Sequence, residues 1–157
     1  MPETITTVKP KRQTATTPAS RKAKGRRIQN IVAEDLQHMF GVDKNDIKPT
    51  PMGVSGIDIQ LSNTIRAVYP WGHEVKNHEK INIWAALEQC ERNAALEELK
   101  PCLVFTRNRT PIYAVVLWSD WLDMQRELLM MRNAVISYQH QIIHDLTGEE
   151  AHDFSRG

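Results

Sequence analysis

The chain has 157 residues, 25% of them charged and 41% apolar, with a formal net charge of +1. These values describe a soluble globular protein with a sizeable core, most simply one domain with appendages. No apolar run is long enough for a membrane span and the N-terminus lacks an apolar signal segment, so the expected location is the cytoplasm, with no membrane partner.

The small net charge hides a polarity. Residues 1–27 hold Lys9, Lys11, Arg12, Arg21, Lys22, Lys24, Arg26 and Arg27 against Glu3 alone, a net of +7, which leaves −6 for the remainder. Thr, Pro, Ala and Ser fill the gaps, so 1–23 is expected to be a disordered basic arm. Such an arm suits phosphate backbones, and the same composition serves transit peptides and solubilising tails.

The folded domain is expected over 24–120. Ile28, Ile31, Val32, Leu36 and Met39 recur at helical spacing, which predicts a first helix from about 25 to 40 with Gly41 as its stop. Residues 46–50 are short and extended, and Pro49 and Pro51 restrict them to an edge strand or loop. The glycine-containing turn Pro51-Met52-Gly53-Val54-Ser55-Gly56 leads into a strand-like run over 57–61. A helical turn over 62–68 and a second strand-like run at 73–76 follow. A second helix is expected over 82–99, burying Ile83, Leu87, Cys90 and Ala94 and closed by Pro101, with Trp84 at a core position and Trp71 packed beside the sheet. Leu103-Val104-Phe105 and 112–117 are β-rich runs whose connection, Arg107-Asn108-Arg109-Thr110, reads as a hairpin. This order makes an α/β domain with a central sheet covered on its faces. Cys90 and Cys102 lack metal-site spacing and read as reduced core thiols.

Residues 121–147 read as a long C-terminal helix, followed by a tail over 148–157. Trp121, Met124, Leu128, Met131, Val135, Tyr138 and Ile142 step by 3 and 4 alternately, with Leu129, Ile136 and Ile143 as a second row. Two arrangements cover such a stripe: a homodimer through 121–142, or the helix folded back on its own core.

Candidate chemistry sits on the two strand-like runs. Side chains alternate along a strand, so Glu74 and Lys76 share a face while Val75 points to the core. Asp58, flanked by Ile57 and Ile59, points away from the apolar layer. Two carboxylates suit a hard divalent cation and an adjacent ammonium orients or activates water, the minimum set for metal-dependent phosphodiester hydrolysis. A solvated strand face with alternating charges is the plain alternative.

The stretch from Pro51 to Ile59, then Glu74-Val75-Lys76-Asn77, then Asn82-Ile83-Trp84-Ala85-Ala86-Leu87-Glu88-Gln89, resembles the PD-(D/E)xK nuclease superfamily, and within it small phage-type Holliday-junction resolvases, over roughly residues 24–121. The resemblance implies a restriction-endonuclease-like core, a central mixed sheet flanked by helices. It implies Mg²⁺, or Mn²⁺, held by Asp58, Glu74 and the Val75 carbonyl. Lys76 would position the attacking water or stabilise developing charge, its other role being a plain ion pair. Gln89 is a candidate for the water or a DNA phosphate, or else a helix-surface amide. Lys24, Arg26, Arg27, Arg107 and Arg109 are candidate DNA contacts, although loop arginines are commonly just solvated.

Members often add an acid from the first helix. Here that position holds Gln29, and Glu34, about 1.4 turns further on, cannot share its direction. Either Gln29 is a neutral ligand through a water or one metal site is weak. His73 and His78 flank the motif without partners at metal-ligand spacing and are read as bystanders. The implied activity is a Mg²⁺-dependent endonuclease on branched DNA, in the host cytoplasm if the chain is phage-encoded. The alternatives are a nuclease for linear or single-stranded DNA and a non-catalytic DNA-binding protein on a degenerate nuclease fold.

Overall fold

In a computed structural model that describes residues 17–147, the chain runs α1 (Pro18–Phe40), β1 (Ile47–Pro49), β2 (Ile59–Leu61), α2 (Asn63–Val68), β3 (Trp71–Asn77), α3 (Ile83–Ala95), β4 (Lys100–Thr106), β5 (Tyr113–Val116) and α4 (Trp118–Thr147). The expected α/β class and long C-terminal helix are both present. Residues 1–16 of the expected arm and the expected tail lie outside the described residues.

The strands form two sheets. β3 pairs parallel with β4, and β4 pairs antiparallel with β5, giving a mixed sheet in the order β3-β4-β5. β1 and β2 make a separate antiparallel pair. The parallel pairing of β3 and β4 requires a crossover, which α3 supplies. One core layer joins Ile28, Val32 and Leu36 of α1 to Trp71, Val75 and Val104 of the sheet. The other joins Ala86 and Cys90 of α3 to Leu103, with Phe105 and Val115 packed against them. Alternation on β3 thus sends Val75 toward α1 and Glu74 and Lys76 toward α3.

Several boundaries differ from expectation for local reasons. α1 begins at Pro18 rather than near 25, because the Thr17 hydroxyl caps it by accepting from the Ser20 N–H at 3.2 Å and proline suits the first turn. Residues 18–23 are therefore helical. α3 stops at Ala95 rather than Leu99: Glu98 turns through a φ of 56° and the Lys100 N–H bonds the Pro70 carbonyl at 2.8 Å. Pro101 consequently lies inside β4, one residue from its start. Trp84 is 75% exposed instead of buried, since Ala86, Cys90 and Ala94 face the sheet and Trp84 sits about 200° round the helix from Ala86. Met39 is likewise exposed, and Ala33 is buried on α1 instead. Cys90 and Cys102 are buried as expected and both thiols are free, while Trp71 is buried as the first residue of β3 rather than beside the sheet.

α4 does not fold back over the core. An ion pair from Lys100 to Asp120, 3.1 Å, ties its start to β4. From Met124 to Leu146 every residue is exposed, the apolar stripe included.

Gly72 controls how closely α3 approaches β3. A Cβ there would stand 3.0 Å from both the Ala94 Cβ and Ile57 Cγ2, and 3.2 Å from the Ala94 Cα. Gly72→Ala should therefore destabilise the fold by about 1–3 kcal/mol through overpacking. Chemical denaturation checks this, and unchanged stability would contradict the close packing of α3 on β3.

Candidate active site

The free edge of β3 is where the first candidate residue is held. The Asp58 N–H donates to the His73 carbonyl at 2.7 Å, and the Val75 N–H donates to Asp58 Oδ2 at 2.7 Å. One residue thus satisfies two edge groups of β3, through main chain and side chain. Asp58 itself lies one residue before β2 rather than within a strand. The lead-in turn bends at Gly56, whose φ of 118° is accessible to glycine and whose carbonyl accepts from Asn93 Nδ2 at 2.9 Å. Strand amides and carbonyls of one residue point the same way, so the Val75 carbonyl faces this edge too.

Gln29 completes the Asp58 environment by donating from Nε2 to Oδ1 at 2.8 Å. The first-helix position expected near the site is therefore at the site, and it carries an amide. Glu34 is exposed elsewhere on α1. Arg26 braces this arrangement from Nη1, with Thr50 O at 2.8 Å and Gln29 Oε1 at 3.5 Å.

Glu74 is only 3% exposed, so this strand face is not a solvated one. Its Oε1 meets Lys76 Nζ at 2.5 Å and its Oε2 accepts from Asn93 Nδ2 at 2.9 Å. Lys76 Nζ also donates to Gln89 Oε1 at 2.9 Å. α3 therefore lays Gln89 and Asn93, one turn apart on the same flank, over Glu74 and Lys76. Asn93 was not singled out from sequence; its i+4 spacing from Gln89 was the available signal. His73 is buried on the other face against Tyr69, with Nε2 3.1 Å from the hydroxyl, and burial pushes its pKa down to about 4. Its side chain takes no part in this cluster.

Burial pushes the Asp58 carboxyl up to about 6, and the negative charge of Glu74 adds to the rise. The Val75 N–H, the Lys76 ammonium and the Gln29 amide oppose it. Asp58, Glu74 and the Val75 carbonyl are oxygen donors, the ligand type that Mg²⁺ takes, with a neutral amide from Gln29 beside Asp58. Among the described residues no group of three or more His, Cys, Asp or Glu is placed to hold a metal.

The other candidates divide. Lys24 Nζ donates to Asn108 Oδ1 at 3.1 Å, bringing α1 to the tip of the β4–β5 hairpin where Arg107 and Arg109 are exposed. His78 and Lys80, on the loop after β3, lie with Lys24 around one cleft. Arg26 points inward and is a brace. Arg27 is exposed on the flank of α1 away from Gln29 and is not brought to this cluster. No helix among the described residues is long and apolar enough to cross a membrane. No protein-family model, curated protein or solved structure matches the chain.

The raised Asp58 pKa has a signed consequence. Its folded value of about 6 lies above the ordinary 3.8, so the folded state holds the proton more tightly. The stabilising contribution of that proton is fully present below about pH 4 and is lost as pH rises through about 6. In EDTA, Asp58→Asn should match wild type near pH 4 and exceed its stability by about 1–3 kcal/mol above pH 7. Guanidinium titrations across that range check this; a variant less stable than wild type at pH 8 would contradict it.

Proposed function

We propose that the chain is a metal-dependent DNA endonuclease of the PD-(D/E)xK type, with a restriction-endonuclease-like core, acting on branched DNA in the manner of a Holliday-junction resolvase. The observation that carries this reading is the joint placement of Asp58, Glu74, Lys76 and Gln89 at one edge of β3 under α3. Asp58, Glu74 and the Val75 carbonyl would hold Mg²⁺ or Mn²⁺. When bound, such an ion supplies charge neutralisation at the scissile phosphate and lowers the pKa of a bound water.

The chain's own residues supply the rest. Glu74 and Gln89 fix the Lys76 ammonium from two sides, so it stands ready to orient a water or to stabilise charge on the phosphate. Gln29 and the Val75 N–H hold both Asp58 oxygens in place. Asn93 ties Glu74 to the Gly56 carbonyl in the turn that leads into Asp58. Lys24, Arg107 and Arg109 contribute cationic contacts for the backbone, and the arm before α1 extends that charge. The exposed stripe of α4 suits a second copy of the chain, which would bring two sites together for paired cuts across a junction.

One observation favours a second reading, a DNA-binding protein on a degenerate nuclease fold. Gln29 stands where the nucleases that the chain resembles often carry an acid, which lowers the negative charge available to a cation. Labelled four-way junction, nicked, linear and single-stranded DNA with Mg²⁺ or Mn²⁺ separate these readings. Paired incisions in the junction are expected, with Asp58→Ala and Glu74→Ala each losing at least about 100-fold in rate while retaining DNA binding. Cleavage confined to linear or single-stranded DNA would assign the linear-substrate nuclease. Binding without cleavage of any substrate would assign the non-catalytic protein. Equal rates in wild type and both variants would remove Asp58 and Glu74 from the site.

A further inference from the structure

We infer that the apolar cleft beside Lys76 is a stacking site for one unpaired base of the DNA strand being handled, so that the substrate carries an unpaired nucleotide next to the phosphate at the site. This deepens the nuclease reading and rests on it. The argument begins with strand register. Lys76 of β3 pairs with Phe105 of β4, and Phe105 pairs with Tyr113 of β5. Directly paired residues share a face, so ammonium, phenyl and phenol stand in one row across the α3 side of the sheet. With strands about 4.8 Å apart, Tyr113 lies roughly 10 Å from Lys76, within reach of a single nucleotide.

The two rings stack on each other, with centroids 5.6 Å apart and planes inclined by 26°. Tyr113 is nevertheless 51% exposed, an aromatic face turned to solvent at the edge of a core layer. The cleft it lines with Phe105 and Ile81 has a volume of about 580 Å³. Lys80, Arg107 and His78 line it as well. The one acid there, Glu79, has Oε1 occupied by the Asn108 N–H at 3.2 Å. The cleft is also continuous with the site, because His78, Lys80 and Ile81 line a neighbouring recess together with Lys76 and Gln89. An aromatic floor with a cationic rim, opening onto a phosphate-handling group, matches a nucleotide: ring on ring, phosphate on ammonium. A base paired within a duplex cannot reach this floor, since it would have to leave its stack. Stacking accepts any base, so the site selects for strand structure rather than sequence.

The test uses the full chain in EDTA and a duplex with one bulged 2-aminopurine, against the perfect duplex carrying the same base paired. Wild type should quench the bulged fluorophore and bind that duplex more tightly than the paired one. Tyr113→Leu keeps an apolar side chain at this half-exposed position but removes the ring. It should abolish the quenching and weaken binding of the bulged duplex by about 5- to 100-fold, with paired-duplex affinity unchanged. Tyr113→Phe should retain both signals. Salt-dependent DNA binding with equal affinity for the two duplexes and no quenching would overturn the stacking site while leaving the nuclease reading standing. Quenching that survives in Tyr113→Leu would place the base elsewhere and overturn it too. Absence of binding to any DNA at low salt would overturn both.

Discussion

A strand at the edge of a sheet presents N–H and carbonyl groups that must find partners, and on β3 two of these groups are partnered by one residue. The main chain of Asp58 takes the His73 carbonyl and its carboxylate takes the Val75 N–H. This edge contact is what seals β3 in place of a neighbouring strand. It also fixes a carboxylate beside the face on which Glu74 and Lys76 stand. The positions of the two acids are therefore a product of how the sheet ends.

The arrangement is electrostatically costly. Glu74 is buried, Asp58 is desolvated enough to hold its proton to about pH 6, and each charge opposes the other. Lys76, Gln89 and Asn93 offset part of this from the α3 side, which explains why α3 must lie close and why Gly72 leaves room for it. Buried carboxylates kept in mutual opposition occur at functional sites and also in structural ion-pair networks. A cation relieves the opposition directly. The row from Lys76 to Phe105 to Tyr113 extends the same face of the sheet away from the charges, so the polar and aromatic parts share one register.

How much of this was legible depended on the range of the physics involved. The shared face of Glu74 and Lys76 follows from period-2 alternation alone, and the β4–β5 hairpin from its turn residues. The Asp58–Val75 contact was not readable, because it requires knowing that β3 is an edge. On α3, Cys90 and Ala94 were legible and are buried, with Ile83 and Leu87 packed partly buried beside that core, whereas Ala86 was missed because one alanine carries a weak hydrophobic signal and Trp84 was placed in the core on its size. α1 was started late because apolar periodicity begins at Ile28, while Thr17 and Pro18 announce the helix through capping. Pro101 was taken as a helix stop, although proline is tolerated close to the start of a strand. The aromatic row needed the strand register, which no local pattern contains. The stripe on α4 was plain in the heptad spacing, and its exposure rules out the folded-back arrangement among the described residues.

The central claim is that Asp58 and Glu74 form a cation site. Thermal unfolding at pH 7.5 with and without Mg²⁺, in wild type and in Asp58→Asn, tests it most directly. The account predicts that saturating Mg²⁺ raises the wild-type midpoint by about 3–6 °C and leaves Asp58→Asn unmoved. No shift in wild type, or an equal shift in both proteins, would contradict it.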